Sequence, residues 1–146
     1  MHTQDTDFAR NIVKSISYLE RHRRRFINEH LEQYGLRGSM FLTLMFLNRC
    51  PGSSQDKLCG ELLIDKGNAA RMCRRLEEMG YICRSQSEAD RRQNELYLTD
   101  SGKEQVGHIK KLLGEWKQIA TSGISDEECQ MLTALLLRMR ENVSNL

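Results

Sequence analysis

The chain has 146 residues, 39% hydrophobic and 29% charged, with a formal net charge of +2. That is the length of one domain, with enough apolar side chains for a core and too few residues for two full domains. The near-neutral balance excludes a polycation, and no apolar run is long enough to span a bilayer. The first ten residues, MHTQDTDFAR, lack the apolar core of a signal peptide, so a cytoplasmic location is expected.

The first predicted element is a long helix. Phe8, Ile12, Ile16 and Leu19, with Val13 and Tyr18, then Phe26, Ile27 and Leu31, recur at helical spacing over roughly seven turns. Arg21, Arg23, Arg24 and Arg25 form a basic patch inside it, read as a solvated face. A second helix covers Met40–Asn48. The stretch from Ser53 to Thr99 then reads as two short helices, a turn at Gly80 and a β-hairpin with a basic tip.

The second of those short helices carries the chemistry. Asp65 can cap it by accepting a hydrogen bond from the free backbone amide near Asn68. Ala69, Cys73 and Leu76 form the apolar stripe, flanked by Ala70, Met72 and Met79. Arg71, Arg74, Arg75 and Glu78 fall on the opposite face. Gly80 ends the helix, because glycine takes the left-handed cap conformation without steric cost. Lys66, Gly67 and Asn68 make a small first turn, which suits entry into a DNA major groove. Asn and Arg are the side chains that form bidentate pairs with adenine and guanine edges.

Tyr81–Gln86 and Glu95–Thr99 alternate as strands, with Ile82 inward and Cys83 outward. The polar loop between them carries Asp90, Arg91 and Arg92 at its tip. Asp90 is expected to hold one arginine side chain by a charge-assisted bond, leaving the other to enter a narrow minor groove. From Lys66 to Arg92 there are seven Lys/Arg against four Asp/Glu, a local +3 that matters more than the total charge for a DNA footprint.

A long helix follows Thr99, with Val106, Ile109, Leu113, Trp116 and Ala120 on its apolar side. Ser125 opens the last helix, and Glu128 three residues on completes a capping box. Leu132, Leu135, Leu136, Met139 and Val143 make its stripe. The first and last helices carry more apolar surface than a compact winged domain needs, which points to a two-fold homodimer.

Residues 34–106 resemble the winged helix-turn-helix core of the MarR/SlyA transcriptional regulators. The resemblance rests on YGL at 34–36, the helix Met40–Asn48, PGSSQDKLCGELLIDKGNAARMCRRLEEMGY from Pro51, DRR at 90–92 and LYLTDSGKE at 96–104. It implies a mainly α chain: a winged helix-turn-helix with a two-stranded wing, flanked by dimerisation helices at 8–33 and 107–146, as one MarR-type domain over 1–146. It also implies a prokaryotic, nucleoid-associated regulator of transcription, by default a repressor on palindromic operators. Its small-molecule effector pocket would lie among the first helix, the Met40–Asn48 helix and the Val106–Ala120 helix. Tyr18, His22, Phe46 and Trp116 are the candidate lining residues, with a core role as the alternative for each.

Enzymatic chemistry has no support: there is no nucleophile elbow, phosphate-cradling glycine loop or HExxH. The five cysteines, at 50, 59, 73, 83 and 129, include no C-x-x-C pair and no histidine at metal-ligand spacing. Neither metal nor cofactor is expected. The organic-hydroperoxide sensors of the family use a reactive cysteine in the first helix, and here no cysteine precedes Cys50. Double-stranded DNA, a second copy of the chain and a small effector are the expected partners, and no membrane. The competing readings are a thiol-based redox sensor and a winged-helix interaction or architectural module without effector.

Overall fold

The computed structural model describes residues 3–90 and 92–146, with the backbone alone for residues 3–6. It is divided into two compact units, Met1–Leu113 and Gly114–Leu146. The chain order is α1 (Thr3–Leu31), a short 3-10 turn (Glu32–Tyr34), α2 (Met40–Arg49), α3 (Gln55–Leu62), α4 (Lys66–Glu78), β1 (Ile82–Gln86), β2 (Asn94–Leu98), α5 (Asp100–Ala120) and α6 (Asp126–Val143). Helix α1 starts five residues before Phe8, because its first turn is polar and carries no apolar marker. The 3-10 turn was not legible either; it is closed by Gly35 at φ +72°.

The core of the first unit gathers Ile27 and Leu31 of α1, Phe41, Leu44, Phe46 and Leu47 of α2, Leu58 of α3, Cys73 and Leu76 of α4, Ile82 and Leu96 of the strands, and Val106 and Ile109 of α5. In α1, α4 and α5 these contributors are spaced three or four residues apart, so one stripe of each faces inward. The strands pair antiparallel, with Ile82 opposite Leu98 and Arg84 opposite Leu96. The loop before α3 joins this ribbon: Gly52 donates its amide to the Leu96 carbonyl, and Leu96 donates back to the Ser53 carbonyl. These two bonds tie the wing to the helix-turn-helix through backbone alone, so the tie does not depend on side-chain identity.

The caps follow the sequence. Ser54 and Asp65 accept from the Lys57 and Asn68 amides at the starts of α3 and α4. Ser125 and Glu128 form the reciprocal capping box of α6. Helix α4 stops at Glu78, and Gly80 at φ +75° lets Tyr81 donate back to the Leu76 carbonyl. Thr99 ends β2 by accepting from the Gly102 amide while donating its hydroxyl to the Gly80 carbonyl. The turn between α3 and α4 is less expected. It runs through Leu63 at φ +52°, a left-handed conformation that a leucine adopts at a cost.

Candidate nucleic-acid interface

Helix α4 buries Ala69, Cys73 and Leu76 and leaves Lys66, Gly67, Asn68, Arg71, Arg74 and Arg75 exposed. The separation of faces is therefore the one its spacing dictates. A relay runs along the exposed face. The Asp65 carboxylate accepts the backbone amide of Asn68 at 2.8 Å and also its side-chain amide, and the Asn68 side-chain oxygen accepts from the Arg71 guanidinium. These bonds hold the Asp65 carboxyl below the usual carboxylate range, the Asn68 amide being the largest cause. Asn68 and Arg71 are thus held side by side on the first two turns, where base edges would be met.

Other cations are partly engaged. Lys66 lies 3.6 Å from Asp56 of α3, and Arg75 lies 3.6 Å from Glu78. Both pairs are exposed, so they compete poorly with a phosphate. Arg37, which precedes α2, shares a recess of about 390 Å³ with Arg71 and Arg75, floored by Met40, Ile64 and Met72. Sequence reasoning left Arg37 out, because only folding brings the 37–40 turn beside α4.

The wing tip is organised by its backbone. Ser87 donates its amide to the Gln93 carbonyl, and Gln93 donates to the Asp90 carbonyl. The Asp90 carboxylate accepts the backbone amide of Arg92 at 3.0 Å. Asp90 thus shapes the turn through the main chain and does not hold the Arg92 side chain, which lies exposed. A short acidic side chain reaches an amide two residues on more readily than a long side chain folding back. Arg91 lies outside the described residues. Arg84, on β1, was also missed as a site residue. Its guanidinium meets Glu77 of α4 at 2.8 Å.

The proposed effector residues differ in their settings. The rings of Tyr18 and His22, tilted by 38°, lie 4.2 Å apart on the exposed face of α1. Phe46 is buried in the core of the first unit, and Trp116 belongs to the second unit. The basic patch of α1 is largely spent locally: Arg23 and Arg24 pair with Glu20, and Arg25 pairs with Glu29. Cys73 is fully buried, Cys83 exposed, and Cys50, Cys59 and Cys129 intermediate. No cluster of metal-ligating side chains occurs among the described residues.

A helix-turn-helix whose second helix exposes a basic face and is followed directly by a two-stranded β-wing defines a winged helix-turn-helix protein. The sequence model of the MarR family matches residues 39–93. The transcriptional regulator BilQ of Clostridioides difficile strain CD3 is 29% identical over 130 residues, 86% of this chain and 88% of its own. A MarR transcriptional regulator from Methanosarcina mazei Go1 is 33% identical with a TM-score of 0.84, covering 94% of this chain and 99% of its own. A MarR family regulator from Listeria monocytogenes, solved with a 26mer DNA, is 25% identical with a TM-score of 0.85 over 91% and 89% of the two chains. The chain belongs to the MarR family.

Proposed function

We propose that this chain, a DNA-binding transcriptional regulator of the MarR family, acts as a homodimeric repressor on palindromic operators, its affinity set by a small-molecule effector. The carrying observation is the exposed face of α4, where Asn68 and Arg71 are held together beside Lys66, Gly67, Arg74 and Arg75. In this reading α4 enters the major groove, and Asp90, Arg91 and Arg92 bring the wing to the flanking minor groove. The DNA bound to the Listeria relative supports the same use of the fold.

Dimerisation would come from residues 8–33 and 107–146. Helix α1 leaves Phe8, Ile12, Val13 and Leu19 exposed, and α6 leaves Met131, Leu132, Leu135 and Leu136 exposed. Apolar area of that extent is covered in solution by another copy more economically than by water. In this reading two copies present two α4 helices about one DNA turn apart. An effector acts only by binding one spacing of the reading helices better than another. Of the four candidate effector residues, Tyr18 and His22 are exposed, Trp116 is half-buried and Phe46 is buried. No helix among the described residues is long and apolar enough to cross a membrane, and the site of action proposed is the prokaryotic nucleoid in the cytoplasm.

The test is sedimentation at micromolar concentration, followed by sequencing of the genomic DNA that co-purifies with the protein. A dimer carrying fragments that share an inverted repeat is expected. A monomer, or fragments without a shared motif, contradicts the reading.

A further inference from the structure

We propose that the ion pair between Glu77 of α4 and Arg84 of β1 sets the angle of the wing against the reading helix, so that both engage one face of DNA together. The inference rests on the DNA reading above.

The pair is unlike the other ion pairs of the described residues. Arg84 Nε lies 2.8 Å from Glu77 Oε2, and the two side chains are 31% and 29% exposed. It alone among those pairs has both partners less than a third exposed, and it alone joins the helix-turn-helix to the wing. The pair is therefore screened less than the fully exposed pairs.

Its position is equally specific. Arg84 sits opposite Leu96, which is fully buried, and two residues after Ile82, which is buried as well. Arg84 shares the strand face of these two core residues but lies on its exposed part, where an apolar side chain would pack without a preferred direction. An arginine there replaces non-directional packing with one aimed bond. A pair in such a setting adds little net stability, and fixing a geometry is the use proposed for this one.

The joint needs such a brace. Only Met79, Gly80 and Tyr81 connect α4 to β1, and Gly80 is at φ +75°. Thr99 fastens the joint itself by donating to the Gly80 carbonyl. Glu77 and Arg84 lie on either side of that point, so their bond fixes the lever arms. The arrangement also accounts for an acidic residue two positions after Arg75 on a DNA-facing helix: Arg84 neutralises Glu77 where it would otherwise repel phosphate. Arg84 further shares a recess of about 200 Å³ with Arg92 of the wing tip, so the brace and the tip lie on one surface.

The experiment uses a duplex that the parent protein has enriched from a random library, with hydroxyl-radical protection and affinity as readouts. The parent should protect the centre of each half-site and the flanking minor grooves. Glu77→Gln and Arg84→Met should keep the central protection and lose the flanking one. Affinity for the selected duplex should fall about tenfold, the size of one lost charge-assisted contact. Affinity of Glu77→Gln for a scrambled duplex should hold or rise, since a negative charge has gone. The double exchange, Glu77→Arg with Arg84→Glu, should restore the flanks. Flanking protection at the parent level in Glu77→Gln overturns the inference. So does equal loss at centre and flanks that the double exchange does not repair, because the pair is then merely structural. A parent without flanking protection defeats the reading of the wing itself, before any variant is compared.

Discussion

A β-carbon at position 102 would lie 2.0 Å from the carbonyl oxygen of Tyr81 and 3.3 Å from a methyl carbon of Leu98. The first turn of α5 therefore presses its backbone onto the strand end that starts the wing. Tyr81 receives the Thr99 amide at that same carbonyl, and Gly102 donates to the Thr99 hydroxyl. Gly102→Ala must push backbone against backbone, and a loss of roughly 3 kcal/mol is expected. Urea unfolding measures it; a loss below about 1 kcal/mol would mean that the contact can relax.

Leu63 gives the opposite sign. It is held at φ +52° and is 91% exposed, so the chain bears left-handed strain there and gains no packing. Leu63→Gly removes the strain and costs some unfolded-state entropy, with a net gain of about 0.5–1 kcal/mol expected. Thermal melting is the measurement. A lower melting temperature would show that the leucine side chain has a partner in the assembled protein.

Much of this architecture was legible, and the failures share a cause. Helix α4 could be read because its cap, its period and its stop are all local: Asp65, the Ala69–Cys73–Leu76 stripe and Gly80. The capping box at Ser125 and Glu128 is local in the same way. What escaped depends on contacts that only the fold creates. Arg84 falls in a strand the sequence predicts, but nothing in the sequence names Glu77 as its partner. Arg37 joins Arg71 and Arg75 around one recess although more than thirty positions separate it from them. The backbone bonds of Gly52 and Ser53 to Leu96 carry no side-chain signal at all. Leu63 occupies a turn position that a glycine would have advertised.

The cap of α4 makes one acid-dependent contribution. Hydrogen bonds lower the folded-state pKa of Asp65 below its unfolded value. Its stabilisation is complete above the usual carboxylate range and is lost as pH falls through the lowered folded value. Asp65→Asn keeps a capping oxygen that does not titrate. The variant should therefore lose less stability than the parent between neutral pH and the acid limb. Parallel stability curves for the two proteins would show that Asp65 contributes nothing to the pH dependence.

The thiols divide by exposure. Burial, opposed only weakly by the charge of Arg84, pushes the Cys73 thiol up to about 11, so it stays protonated at neutral pH. Cys83 is exposed on β1. An aromatic disulfide reagent should consume Cys83 first and reach Cys73 only on unfolding, and mild peroxide should leave duplex binding intact. Binding lost to peroxide, restored by reductant and made insensitive by Cys73→Ala or Cys83→Ala, would instead establish a redox sensor.

The central claim is that the exposed face of α4 reads base sequence, and Arg71 tests it most directly. Selection of duplexes from a random library by the parent and by Arg71→Ala, with affinities measured at one fixed salt concentration, compares the two proteins position by position. An enriched inverted repeat is expected for the parent. For the variant, the predicted loss on that repeat is roughly 1–3 kcal/mol, with relaxed preference at one base pair of each half-site. An unchanged motif at unchanged affinity would contradict the account, and so would an equal loss on every sequence, which would assign Arg71 to phosphate.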